Sequence, residues 1–130
     1  MLRGGCLCGA VSFEIDPPPA HFVRCYRLRC RKATGSGCAW NLYVAPGQLR
    51  WLSGQERIVR FDLPDARSFA TCFCQRCGSP LPHATRSGRE MIVPAGAIDS
   101  GLFAGPTLRS YWDSRADWID ERDCALSDLS

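Results

Sequence analysis

A chain of 130 residues suffices for one domain, which buries about two thirds of the surface its unfolded form would expose. With 45% hydrophobic and 22% charged residues its composition is that of a soluble protein; no apolar run approaches the ~18 residues of a membrane span and the first residues lack the apolar stretch of a signal peptide, so a cytoplasmic chain without a membrane partner is expected. The net charge of +3 is too mild to predict a nucleic-acid partner.

Residues 10–15 alternate, with Val11, Phe13 and Ile15 on one face, which is the period of a half-buried strand. Pro17, Pro18 and Pro19 end it, because proline cannot donate to a ladder. Residues 21–25 and 38–44 are further strand candidates, the latter rich in residues that suit a pleated surface. A turn follows at Pro46 and Gly47. Residues 57–61, 68–73, 81–85, 90–93 and 107–112 complete the set. Short strands between turns holding many of the 12 glycines and 9 prolines predict a mainly β protein. Helix is expected only in short pieces, after Cys30 and near Pro46. Beyond Trp118, an acidic tail with Asp120, Glu121, Asp123 and Asp128 is expected to form a last turn or to fray. No repeat or linker interrupts the sequence, so residues 1–130 read as one domain.

Nine cysteines, an odd number in a chain without a signal peptide, point to metal binding or catalysis rather than a disulfide framework. Cys6 and Cys8 form one closely spaced pair, Cys74 and Cys77 another. Zinc prefers four tetrahedral ligands in a closed site and binds thiolates well, so two such pairs predict one structural zinc. Gly9 and Gly78, following the two pairs, suit tight turns. A CxxC alone is ambiguous between redox and metal roles; the companion CxC favours metal.

The run from Gly4 to Val11, Gly-Gly-Cys-Leu-Cys-Gly-Ala-Val, resembles the opening of the glutathione-dependent formaldehyde-activating enzyme family. Further blocks follow in that family's order: Cys25 to Ser36, Leu49 to Gly54, Phe73 to Leu81, and Ser114 to Trp118. Together they span residues 3–119. The resemblance implies a β-tent, in which small antiparallel sheets are pinned by zinc, and the same ligand set, Cys6, Cys8, Cys74 and Cys77. It also implies a carbon–sulfur lyase of the S-(hydroxymethyl)glutathione synthase type, which promotes addition of the glutathione thiol to formaldehyde. In that family a second, catalytic zinc is bound by a CxCxxC block. A metal there would activate a thiolate or polarise a carbonyl.

The second block departs from that pattern. It reads Cys25, Tyr26, Arg27, Leu28, Arg29, Cys30, with Arg27 where a ligand cysteine is expected. Arginine is permanently cationic and offers no lone pair, and two cysteines are too few for an ordinary zinc site. The second zinc is therefore not expected in its usual form. Three outcomes stay open. Arg27 lowers the thiol pKa of Cys25 or Cys30, making a reactive-cysteine site for an electrophile or an anionic thiol. Alternatively other groups, such as Cys38 or Cys72, complete a metal site. In the third outcome the scaffold persists without the activity. Candidate catalytic residues are Cys25, Arg27 and Cys30. Arg31 and Lys32 are candidates for binding the carboxylates of a glutathione-like thiol, or a phosphate. The expected function is a zinc-containing carbon–sulfur lyase-like protein acting on glutathione or a related small thiol and an aldehyde adduct. The alternative is a non-catalytic zinc scaffold that binds a ligand or a protein partner. His21 and His83 are expected to be structural or exposed, the tryptophans core or rim, Cys38 and Cys72 buried strand residues, and Cys124 a plain thiol.

Overall fold

The computed structural model describes residues 1–120; Cys124 and most of the acidic tail lie outside them. Among the described residues the alternating segments form twelve short strands: β1 (Leu2–Gly5), β2 (Ser12–Ile15), β3 (His21–Cys25), β4 (Ala39–Val44), β5 (Leu49–Ser53), β6 (Ile58–Asp62), β7 (Ala70–Cys74), β8 (Pro80–Leu81), β9 (His83–Ala84), β10 (Met91–Pro94), β11 (Ile98–Ser100) and β12 (Leu108–Ser110). One α-helix, α1 (Leu28–Thr34), follows β3. No helix among the described residues is long and apolar enough to cross a membrane.

The strands make three small sheets, ordered β11-β1-β2-β5, β12-β3-β4-β10-β9 and β6-β7-β8. The pairings are antiparallel, as expected, except that β12 returns parallel to β3 and sets Ser110 beside Cys25. Period-two burial turns one face of each sheet inward: Phe13 and Ile15 from β2, Leu42 and Val44 from β4, Cys72 and Cys74 from β7, Met91 and Val93 from β10. These side chains join Leu2, Val11 and Leu81 in one apolar cluster. Phe13 is fully buried and meets the Trp51 ring edge-on at 5.8 Å.

The strand expected at residues 21–25 is realised as β3, and its neighbours are shifted by a residue or two. Three strands are not visible in the sequence. In β1, Gly4 and Gly5 carry no strand propensity, yet a Cβ at Gly4 would strike the Ala97 carbonyl and the Phe13 ring. Glycine is there to let β1 approach its neighbours closely. The segment of β5 carries no clear alternation, and β11 is three mostly exposed residues that rely on pairing with β1. Helix α1 begins at Leu28 rather than after Cys30, so Cys30 lies within its first turn. It ends at Gly35, whose φ of 67° lets its N–H return to the Arg31 carbonyl.

Phe13→Ala removes a fully buried ring and is expected to lower the unfolding free energy by about 3–5 kcal/mol. Urea unfolding reads this as a lower midpoint at unchanged slope. A midpoint close to that of the wild type contradicts this packing.

Candidate functional site

Two turns converge at the point where the first and third sheets meet. After β1, the chain bends through Cys6, Leu7 and Cys8 to Gly9, whose N–H donates to the Cys6 carbonyl at 3.1 Å. After β7, it bends through Cys74 and Cys77 to Gly78, whose N–H donates to the Cys74 carbonyl at 2.8 Å. Both glycines have positive φ, 81° and 76°, which a side chain would strain. The four Sγ atoms lie within 4.8 Å of one another. Cys6 to Cys8 is 3.6 Å and Cys8 to Cys74 is 3.9 Å. Metal–sulfur bonds of about 2.3 Å in a tetrahedron put sulfurs about 3.8 Å apart, so the set fits a tetrathiolate metal site.

Hydrogen-bond donors surround three of the four sulfurs. The N–H of Val11 donates to Cys6 Sγ at 3.2 Å, and that of Arg76 to Cys74 Sγ at 3.4 Å. Ser79 links the two turns: its hydroxyl accepts the Leu7 N–H at 2.9 Å and lies 3.2 Å from Cys77 Sγ. The Ser79 side chain and backbone hold the Cys77 thiol down at about 5. The four cysteines can therefore hold a metal ion.

Beyond this centre, a cavity of about 670 Å³ opens between the second sheet, α1 and the third sheet. Cys25 ends β3 and Cys30 sits in the first turn of α1; both line the cavity. The Cys30 thiol donates to Cys25 Sγ across 3.0 Å. That bond, the Ser110 hydroxyl, and the backbone N–H and charge of Arg27 pull the Cys25 thiol down to about 5. Its proton-donating partner Cys30 is pushed far up, first by the same bond and then by burial. Arg27, Arg29 and Arg67 contribute cationic lining, and no described carboxylate joins them. The Arg27 guanidinium stacks 4.7 Å from the Tyr111 ring centre and donates to the Tyr111 hydroxyl at 3.3 Å.

Arg67 reaches the cavity from the loop between β6 and β7, which Arg86 holds in shape. The Arg86 guanidinium donates to the carbonyls of Ala66 (3.0 Å), Arg67 (2.8 Å) and Leu63 (3.0 Å) and pairs with Asp62 at 3.2 Å. His83 also lines the cavity. Burial, with Arg60 nearby, pushes its imidazole down to about 4, so it is neutral at pH 7.

The structure thus brings Cys25, Cys30 and Arg27 together at one cavity. It places Arg31 and Lys32 elsewhere: Arg31 donates to the Ser114 carbonyl at 3.4 Å, Lys32 is exposed, and neither lines the cavity. Arg29, Arg67 and His83 carry no spacing signal that distinguishes them in the sequence. Cys38 and Cys72 are buried and line the same cavity.

Elemental analysis of the purified chain should find one metal ion per molecule. Cys77→Ser should lose it and unfold at lower temperature, while Cys25→Ser should keep it. Retention of the ion in Cys77→Ser contradicts the tetrathiolate site.

The model of the family described as glutathione-dependent formaldehyde-activating enzyme matches residues 1–114. A Halomonas elongata protein provisionally named glutathione-dependent formaldehyde-activating enzyme is 35% identical over 130 aligned positions, covering 92% of this chain and 80% of that protein. The crystal structure of a Rhodobacter sphaeroides protein, a structural-genomics target, is similar with a TM-score of 0.62 at 26% identity, over 77% of this chain and 90% of that one. The two cysteine turns and the block containing Cys25 and Cys30 all fall inside the matched residues, and the chain belongs to the glutathione-dependent formaldehyde-activating enzyme family.

Proposed function

We propose that the chain, acting as one domain, is a carbon–sulfur lyase-type enzyme that joins glutathione to formaldehyde, with Cys25 as the reacting thiol. The observation that carries this reading is the cavity itself, where an activated thiol faces a cationic lining in a volume typical of small-molecule sites. Zinc is the ion assigned to Cys6, Cys8, Cys74 and Cys77, because four thiolates in a closed turn pair suit it. Its role there is structural.

Cys25 is a thiolate at neutral pH and hence a nucleophile. It adds to the formaldehyde carbon; the carbonyl pair moves to oxygen, which takes a proton from water. When that hydroxyl gives up its proton, the carbon–sulfur bond breaks and its electron pair returns to Cys25. Formaldehyde is thereby released beside glutathione thiolate, which forms the new carbon–sulfur bond, and the oxygen is protonated again. The sum is glutathione thiol plus formaldehyde giving S-(hydroxymethyl)glutathione. Arg29 and Arg67 are the proposed partners of the glutathione carboxylates, because they line the cavity and Arg31 and Lys32 do not. Arg27, fixed by Tyr111, supplies positive charge where the family pattern expects a ligand cysteine.

Exchange NMR with isotope-labelled formaldehyde and glutathione tests this. The wild type should accelerate adduct formation above the spontaneous rate, and Cys25→Ala should return it to that rate. Glutathione binding without acceleration would instead favour the non-catalytic ligand-binding scaffold. Alkylation of Cys25 by iodoacetamide should stay fast below neutral pH and fail only as pH falls through about 5, where the thiolate is protonated. Cys30→Ala removes the hydrogen-bond donor and should move that midpoint up towards the ordinary thiol range.

A further inference from the structure

The spacing of Cys25 and Cys30 marks a second chemistry. Their Sγ atoms are 3.0 Å apart, well inside the about 3.8 Å edge of a zinc tetrathiolate. They stand only about 1 Å beyond the ~2.05 Å of a disulfide bond. The cluster of Cys6, Cys8, Cys74 and Cys77 shows the contrast, since two of its sulfur pairs stand at 3.6 and 3.9 Å. Cys25 and Cys30 also recruit no third donor: the one cluster of metal-ligating side chains among the described residues is Cys6, Cys8, Cys74 and Cys77.

The two sulfurs are mounted differently. Cys25 is fixed at the end of β3, between Ala39 on β4 and Ser110 on β12. Cys30 rides on the first turn of the seven-residue α1, joined to β3 by Tyr26 and Arg27. Closing the sulfur gap to bonding distance takes about 1 Å of movement. Both residues are 9% exposed and both border the cavity, which is the route by which a small molecule meets them.

We propose that Cys25 and Cys30 form a two-electron thiol–disulfide exchange site that reduces small disulfides of the glutathione type. Only the choice of substrate rests on the reading of the cavity as a glutathione site; the exchange chemistry rests on the pair. The Cys25 thiolate attacks one sulfur of the disulfide, forming a mixed disulfide and expelling one small thiolate, which takes a proton. Cys30 then loses its proton to solvent and attacks Cys25 Sγ, forming the Cys25–Cys30 bond and expelling the second small thiolate. Two protein thiols are oxidised, one small disulfide is reduced, and two small thiols leave. The reduced pair is regenerated by excess small thiol through the reverse steps.

The metal-loaded, reduced protein is incubated with glutathione disulfide, quenched in acid and mapped by mass spectrometry. The wild type should carry a Cys25–Cys30 disulfide and have released two glutathione molecules per chain. Cys30→Ser should stop at a glutathione mixed disulfide on Cys25, and Cys25→Ser should form neither product. The wild-type product decides the matter even if a variant fails to fold. A persistent mixed disulfide in the wild type, free thiols at both positions with Cys38 or Cys72 modified instead, or a second metal ion lost in Cys25→Ser overturns the proposal. Oxidation of the pair by hydroxyethyl disulfide but not by glutathione disulfide overturns the glutathione-type substrate, and with it the preceding reading of the cavity. Oxidation by glutathione disulfide in a protein that does not accelerate the formaldehyde adduct supports exchange and removes the lyase reading alone.

Discussion

The convergence of four sulfurs from two turns, with Cys8 and Cys74 separated by 66 positions, is the constraint on which the remaining architecture hangs. The strands are short, and no sheet among the described residues has more than five. Such sheets bury little area each, and marginal stability is the expectation for a chain of this size. Where four such thiolates hold zinc, the ion contributes roughly 10 kcal/mol of apparent binding energy, comparable to a domain's whole stability. It also closes a long loop whose entropy cost grows only slowly with length. The ligand turns are backed by apolar packing, since Cys6 and Cys74 belong to the same cluster as Phe13, Leu42 and Val93.

That centre also positions the cavity. Cys74 terminates β7, and Cys72 two residues earlier faces the cavity, so pinning the end of β7 sets the wall opposite Cys25 and Cys30. The loop beyond β6 would be loose on its own. Arg86 satisfies several of its carbonyls at once, which is why Arg67 stands at a defined place on the rim. Away from the cavity, the closing segment packs on the end of α1: Gly37 has no room for a Cβ against Trp118 and Ile119, and Arg31 reaches the Ser114 carbonyl.

Much of this was legible in the sequence where chemistry is encoded by spacing. The ligand pairs at Cys6 and Cys8 and at Cys74 and Cys77 declare themselves because two closely spaced thiol pairs, each followed by glycine, supply the four donors of a tetrahedral site. The strand at residues 12–15 shows in its alternation. β1 does not, because its glycines serve close approach, a tertiary requirement that no local pattern announces. The cationic lining of the cavity is likewise set by tertiary structure, not by the local pattern. With α1 starting at Leu28, Arg29, Cys30 and Ala33 face the cavity while Arg31 and Lys32 turn away. One helical phase separates the two readings. Arg67 and His83 come from distant loops and strands, so only the folded chain identifies them.

Arg27 shows how one substitution changes what a site can do. Where the family pattern expects a third thiolate, the chain has a cation that turns to Tyr111, a residue held at φ 56°. That left-handed conformation costs about 1–2 kcal/mol for a residue with a side chain, and the stack and hydrogen bond from Arg27 oppose the loss. Without a third thiolate, Cys25 and Cys30 do not keep the separation a tetrahedral metal imposes. At 3.0 Å two thiolates would repel too strongly to coexist, so one proton is retained between them. One sulfur is then anionic and the other is its donor. A donor–acceptor thiol pair stabilises a single nucleophile for addition to a carbonyl, and the same pair has its resolving thiol already in place for a disulfide. Both proposed chemistries draw on the same pair, because the hydrogen bond from Cys30 favours the Cys25 thiolate and the Arg27 charge adds to it without binding the sulfur.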